Sequence, residues 1–132
     1  MIRFPWSLLT VALLAVMPAW AADTTPAAQL QHWSAVAGAP GDAARGQLFF
    51  KTKHGNDWSC ASCHGAPPTT PAQHASTGKP IAPLAPAFNA SRLTDSAKVD
   101  KWFRRNCDDV LARECSAIEK ADLLAYLNAL KP

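Results

Sequence analysis

The stretch CASCHG, Cys60 to Gly65, constrains this chain more than any other. Two cysteines separated by two residues, with a histidine directly after the second, form the C-x-x-C-H pattern that attaches a c-type haem. The spacing has a chemical reason. Each thiol adds to one porphyrin vinyl group, and two intervening residues let both sulfurs span the vinyl edge. His64 then projects beneath the ring as an axial ligand to iron. Two rival readings use the same cysteines. A zinc site would want a second cysteine or histidine pair at ligand spacing, and the sequence has none. A thioredoxin-like redox pair would want a strand–helix context that is missing. The motif therefore predicts one covalent haem c, bound by Cys60, Cys63 and His64, and a chain folded around it.

The N-terminus removes residues from that task. Arg3 precedes the apolar run WSLLTVALLAVMPAW, and Ala19 and Ala21 supply the small-x-small pattern of a secretory cleavage site. The expected organisation is a signal peptide over residues 1–21 and one exported, periplasmic domain over residues 22–132. The alternative is an uncleaved N-terminal anchor, although no second apolar run of membrane-spanning length follows. Cleavage leaves 111 of the 132 residues, enough for one small core and too few for two domains. Losing Arg3 lowers the formal charge from +3 to +2, and two haem propionates would bring it near neutral. That balance implies no nucleic-acid partner.

Hydrophobic spacing predicts four helices and no strands. Thr25 is a plausible N-cap with Pro26 at the first helical position, and Leu30, Trp33 and Val36 recur at helical spacing up to Gly38. A second helix starts at Asp42, where Gly46, Phe49 and Phe50 are available for close packing. A third begins at Thr94 with Val99, Trp102 and Phe103 on one face and Asn106 at its end. Ser116 and Glu119 make a capping box for the fourth, striped by Leu123, Leu124, Leu127 and Leu130. Between the second and third helices lie about 35 residues with no strong period, rich in proline from Pro67 to Pro86. So long a structureless loop suits a small domain only when it wraps something else, and a flat cofactor would serve. The predicted class is all-α, with the haem as part of the core.

The far side of the haem is the open question. Many small c-type cytochromes place a methionine sulfur there. Here the only methionines, Met1 and Met17, fall within the signal peptide. His32, His54 and His74 are candidate nitrogens, each equally readable as a surface histidine. Asn106 is the other candidate, or else an ordinary helix C-cap. Its neighbour Cys107 has Cys115 as its remaining partner once Cys60 and Cys63 carry haem. Closing that short loop would stabilise the fold by roughly 2–3 kcal/mol on the chain-entropy account. Asp108 and Asp109 read as caps of the next turn.

The stretches CASCHG, TGKPIAPLAP, TDSAKVDKWFRRNCDDVLAREC and EKADLLAYL together resemble the sphaeroides haem protein (SHP) type of class I cytochrome c, over nearly the whole exported chain. That resemblance implies the class I cytochrome c fold and an asparagine ligand to ferric haem at Asn106. It also implies a Cys107–Cys115 bridge beside that ligand. The related cytochrome c″ carries histidine at the matching position, so this chain should follow the SHP type. The family further implies a high-spin haem whose distal amide leaves on reduction, opening iron to oxygen, nitric oxide or similar small ligands. Electron delivery from a dihaem cytochrome c or a membrane b-type cytochrome is implied as well. An alternative is a haem enzyme turning over oxygen or nitric oxide, which needs the same open site. Trp102, Ile81 and Leu84 could line a dry pocket or be plain core, and Lys79 could meet a propionate or stay solvated. Lys98, Lys101, Arg104 and Arg105 form a basic stripe that could dock an acidic redox partner or simply face water.

Overall fold

Each of the four long helices begins where a side chain satisfies its open amides. The computed structural model describes residues 22–132, so the expected signal peptide lies outside the described residues. Helix α1 spans Pro26–Ala37; the Thr25 hydroxyl accepts from the Ala28 amide at 3.1 Å, and Gly38 ends it in the left-handed region. Helix α2 spans Ala43–Lys51 under an Asp42 cap. Helix α4 spans Ser96–Leu111, and Asp95 caps it by accepting from the Lys98 amide at 2.9 Å. This cap lies one residue later than the sequence suggested, because the Thr94 hydroxyl turns back to donate to the Ser91 carbonyl. Helix α5 spans Ala117–Ala129, with Ser116 and Glu119 forming the anticipated capping box.

Helices α1 and α2 both pack on α5. Glycine makes the α2–α5 crossing close: a Cβ on Gly46 would overlap the Asp122 carbonyl, and one on Gly41 would overlap that of Ala121. Phe50, Leu123, Tyr126 and Leu127 fill the contact, with Phe50 only 1% exposed and its ring 5.5 Å from that of Tyr126. The buried Asp122 carboxylate is compensated at this crossing. It accepts from the Asp42 amide at 2.6 Å and from Arg45 Nε and a terminal nitrogen at 2.8 and 2.7 Å. On α1 the buried position is Gln29, whereas Val36, expected on the apolar stripe, is 57% exposed. The less exposed side of the helix runs through Pro26, Gln29, Leu30 and Trp33, and Val36 falls off its edge. A second core joins Cys107, Val110, Leu111 and Cys115 to Trp58, Phe49 and Phe103.

The segment between α2 and α4 contains elements too short to carry a period. Helix α3 is Cys60–His64; strands β1, Ala72–Gln73, and β2, Pro80–Ile81, pair antiparallel; and a single 3-10 turn covers Pro86–Phe88. This minimal ladder is the one departure from the strand-free expectation. The segment folds back on itself through the Pro68 carbonyl, which accepts from the amides of Leu84 and Ala85, both at 3.1 Å. Among the described residues no helix is long and apolar enough to cross a membrane.

Candidate haem site

Helix α3 is one turn long and is locked at its start. The Ser59 hydroxyl accepts from the Ser62 amide at 3.1 Å, and the Ser62 hydroxyl accepts from the Ser59 amide at 3.0 Å. In that turn Cys60, Cys63 and His64 stand three and four residues apart, which puts two sulfurs and an imidazole on one face. Cys60 and Ala61 rest on the Phe50–Leu123–Tyr126–Leu127 cluster, and the His64 ring lies 6.4 Å from Phe50. The site is thereby mounted on the α2–α5 crossing.

Burial sets the protonation of this face. It pushes the Cys60 thiol up to about 11. It pulls His64 down to about 4, with smaller contributions from the charges of Arg92 and His74. The imidazole is neutral at neutral pH, as a metal ligand must be. Its Nδ1 is buried without a partner among the described residues. Neither Cys60 nor Cys63 is in a disulfide, and among the described residues the sole hydrogen bond to either sulfur comes from the Ala75 amide to Cys63 Sγ at 3.4 Å. Two thiols and a neutral imidazole on one apolar face fit a covalently attached haem. They do not fit the rival zinc reading, since among the described residues no three His, Cys, Asp or Glu side chains are grouped to hold a metal ion.

Asn106 stands differently from where the sequence placed it. Helix α4 continues five residues beyond it to Leu111, so Asn106 is interior and the C-cap reading falls. Asp108 and Asp109 likewise cap nothing: both lie within α4, and their backbone carbonyls accept from Asn56 Nδ2 at 3.5 and 3.0 Å. Of the four asparagines, Asn56, Asn89 and Asn128 each donate to a backbone carbonyl. Asn106 is half-buried, and its amide makes no hydrogen bond among the described residues. The next residue, Cys107, is joined to Cys115 with Cα atoms 5.6 Å apart, both nearly inaccessible.

The candidate histidines are otherwise engaged. His54 Nε2 sits 3.0 Å from the Phe49 carbonyl with its ring against Phe49. His74 Nδ1 accepts from the amides of Ser76 and Thr77 in the β1–β2 turn. His32 is exposed on α1, edge-on to Trp33. Trp102, one turn before Asn106, is 46% exposed, with Lys101 and Arg105 at 5.8 and 5.2 Å from its ring. Ile81 and Leu84 are half-buried, and Lys79 is exposed. Sequence reasoning passed over Arg92, a lone arginine in a loop with no motif around it, and the Ser59–Ser62 box, visible as S-x-x-S before the cysteine turn.

Residues 36–127 match a family described as a domain of unknown function, DUF1924. The cytochrome c-type protein SHP of Cereibacter sphaeroides is 52% identical over 116 residues, covering 85% of this chain and 89% of that protein. The chain belongs to the SHP family of c-type cytochromes. The structure of oxidized SHP, described as an oxygen-binding cytochrome c, aligns with a TM-score of 0.76 at 48% identity, over 82% of this chain and 99% of that one. Oxidized cytochrome c″ of Methylophilus methylotrophus aligns at 0.73 and 33% identity, over 81% and 95%. The SHP-type chain thus has the all-α cytochrome c fold, and its cofactor is covalently bound haem c.

Proposed function

We propose that this SHP-type protein is a periplasmic monohaem cytochrome, one domain over residues 22–132, that transfers electrons and binds a small diatomic ligand when reduced. Cys60 and Cys63 carry the haem, His64 is the proximal ligand and Asn106 the distal one. The haem, once attached, would supply a one-electron iron centre. The Asn106 side-chain amide carries the rest of the reading: it belongs to a half-buried residue inside a helix and has no hydrogen-bond partner among the described residues, beside a disulfide that holds its backbone. An amide oxygen is a hard, neutral, weak donor that suits ferric iron better than the softer ferrous state. The amide would therefore release on reduction and leave room for oxygen or nitric oxide, in keeping with the oxygen binding described for SHP. Lys98, Lys101, Arg104 and Arg105 are all exposed on α4 and suit an acidic electron donor, a dihaem cytochrome c or a membrane b-type cytochrome.

The test is optical. The oxidised protein should show a high-spin ferric spectrum, and the reduced protein should bind carbon monoxide. Asn106→Met should convert the ferric spectrum to low spin and raise the reduction potential. A variant spectrum identical to that of the parent would refute ligation by Asn106.

A further inference from the structure

Arg92 lies between the 3-10 turn and α4, outside the site as the sequence outlined it. Its Nε donates to the Pro83 carbonyl and a terminal nitrogen to the Ala82 carbonyl, both at 2.9 Å. Those carbonyls belong to the strap whose Leu84 and Ala85 amides bond to Pro68, four residues past His64. Arg92, the strap and the chain leaving His64 are therefore one hydrogen-bonded layer. Arg92 is half-buried in it, and burial draws its pKa below the usual arginine value.

No carboxylate of the described residues answers this cation. Among the described residues the ion pairs are Arg45 with Asp122, Lys98 with Asp95 and Arg113 with Glu119. Two carbonyl dipoles solvate the guanidinium without neutralising it, and they leave further N–H donors of its planar fork uncommitted. A partly desolvated cation is costly unless an anion accompanies it. The haem c of this family brings two carboxylates to the neighbourhood of His64. Lys79, the cation singled out from sequence, is an exposed turn residue and keeps its charge in water.

We propose that Arg92 is the anchor of a haem propionate, its uncommitted N–H donors taking the carboxylate while the Pro83 and Ala82 carbonyls hold the guanidinium in position. The inference rests on haem attachment at Cys60 and Cys63 and not on Asn106. Arg92 is a positioning residue with an electrostatic consequence. A fixed cation at the haem edge disfavours the additional positive charge of ferric iron.

The experiment compares the holoproteins Arg92→Gln and Arg92→Lys with the parent by spectroelectrochemical titration. Infrared difference spectra with carbon-13-labelled propionates accompany it. The midpoint potential should fall in Arg92→Gln and return most of the way in Arg92→Lys, which keeps the charge. The carboxylate bands of one propionate should shift in both, more in Arg92→Gln. Unchanged potential and bands in both variants overturn the proposal. So does an equal fall in both with unmoved bands, which would mean that Arg92 only braces the strap. Should Arg92→Gln fail to mature, Arg92→Lys decides alone, because replacing a fork by a point donor must shift the bands of an anchored propionate. Failure of the Asn106 reading would show instead in the ferric spin state of the parent, which Arg92 variants leave alone.

Discussion

Glu119 serves two partners at the turn between α4 and α5. Its carboxylate accepts from the Ser116 amide at 2.7 Å, closing the capping box, and from Arg113 at 2.8 and 2.7 Å in a two-pronged pair. The Arg113 hydrogen bond, ahead of the Ser116 amide, holds the carboxyl down from 4.5 to about 2. The sign follows from linkage: a carboxyl titrating lower when folded than unfolded adds stability above its unfolded pKa and loses it as pH falls toward the folded one. Glu119→Gln should therefore be less stable than the parent by a constant amount above about pH 4.5, with the gap closing toward about pH 2. Arg113 is half exposed, so solvent screens the pair and the gap is modest. Denaturant melts of the oxidised protein across that window check it. A gap that stays level throughout the acid limb would show that Glu119 carries no shifted proton.

Helix α4 shows why some boundaries are legible in sequence and others are not. The starts of α1, α2 and α5 depend on residues within one turn, Thr25 with Pro26, Asp42, and Ser116 with Glu119, and such local chemistry can be read directly. The end of α4 depends on distant partners. Nothing in the sequence after Asn106 forces the helix on; it continues because Cys107, Val110 and Leu111 find Trp58 and Phe49 from another part of the chain. Asn56, also remote, receives nothing from a motif yet ties the last turn of α4 to the loop ahead of α3. The β1–β2 pair and the 3-10 turn escaped for a simpler reason, since two or three residues cannot display a period. The two site halves differ likewise. The cysteine–histidine turn is a local motif, whereas the proposed ligand Asn106 could be singled out only beside Cys107 and through the resemblance to known cytochromes. Helix α4 finally stops at Ala112, which adopts φ 56 without being glycine. A Cβ in the left-handed region costs about 1–2 kcal/mol, partly offset by the greater unfolded freedom of glycine. Ala112→Gly should accordingly raise stability by up to about 1 kcal/mol in denaturant melts of the oxidised protein. A destabilised variant would mean that the Ala112 methyl makes a packing contribution larger than its strain.

At the scale of the molecule, the apolar core is unevenly shared. The α1–α2–α5 scaffold has its own buried cluster around Phe50 and Leu127, and the end of α4 has a second, centred on the disulfide. The stretch from Gly65 to Asp95 contributes little beyond Pro68 and Ala85, although it makes up a large part of the domain. Backbone bonds to Pro68 and the Arg92 fork give it shape, but hydrogen bonds exchanged with water stabilise only modestly. The apolar surface that orders this stretch must therefore come from the covalent haem, which is why a loop of that length is tolerated in so small a domain. Hydrogen exchange can separate the two parts. In the chain carrying Cys60→Ser and Cys63→Ser, made without haem, amides of α5 such as those of Leu124 and Leu127 should keep measurable protection. Those of Gln73, Ile81, Leu84 and Ala85 should exchange close to the rate of unstructured chain, while in the haem-bound parent both groups are protected. Equal protection of the two groups in the haem-free chain would show that the wrap holds itself together, and the cofactor would then be a guest of the fold and not part of its core.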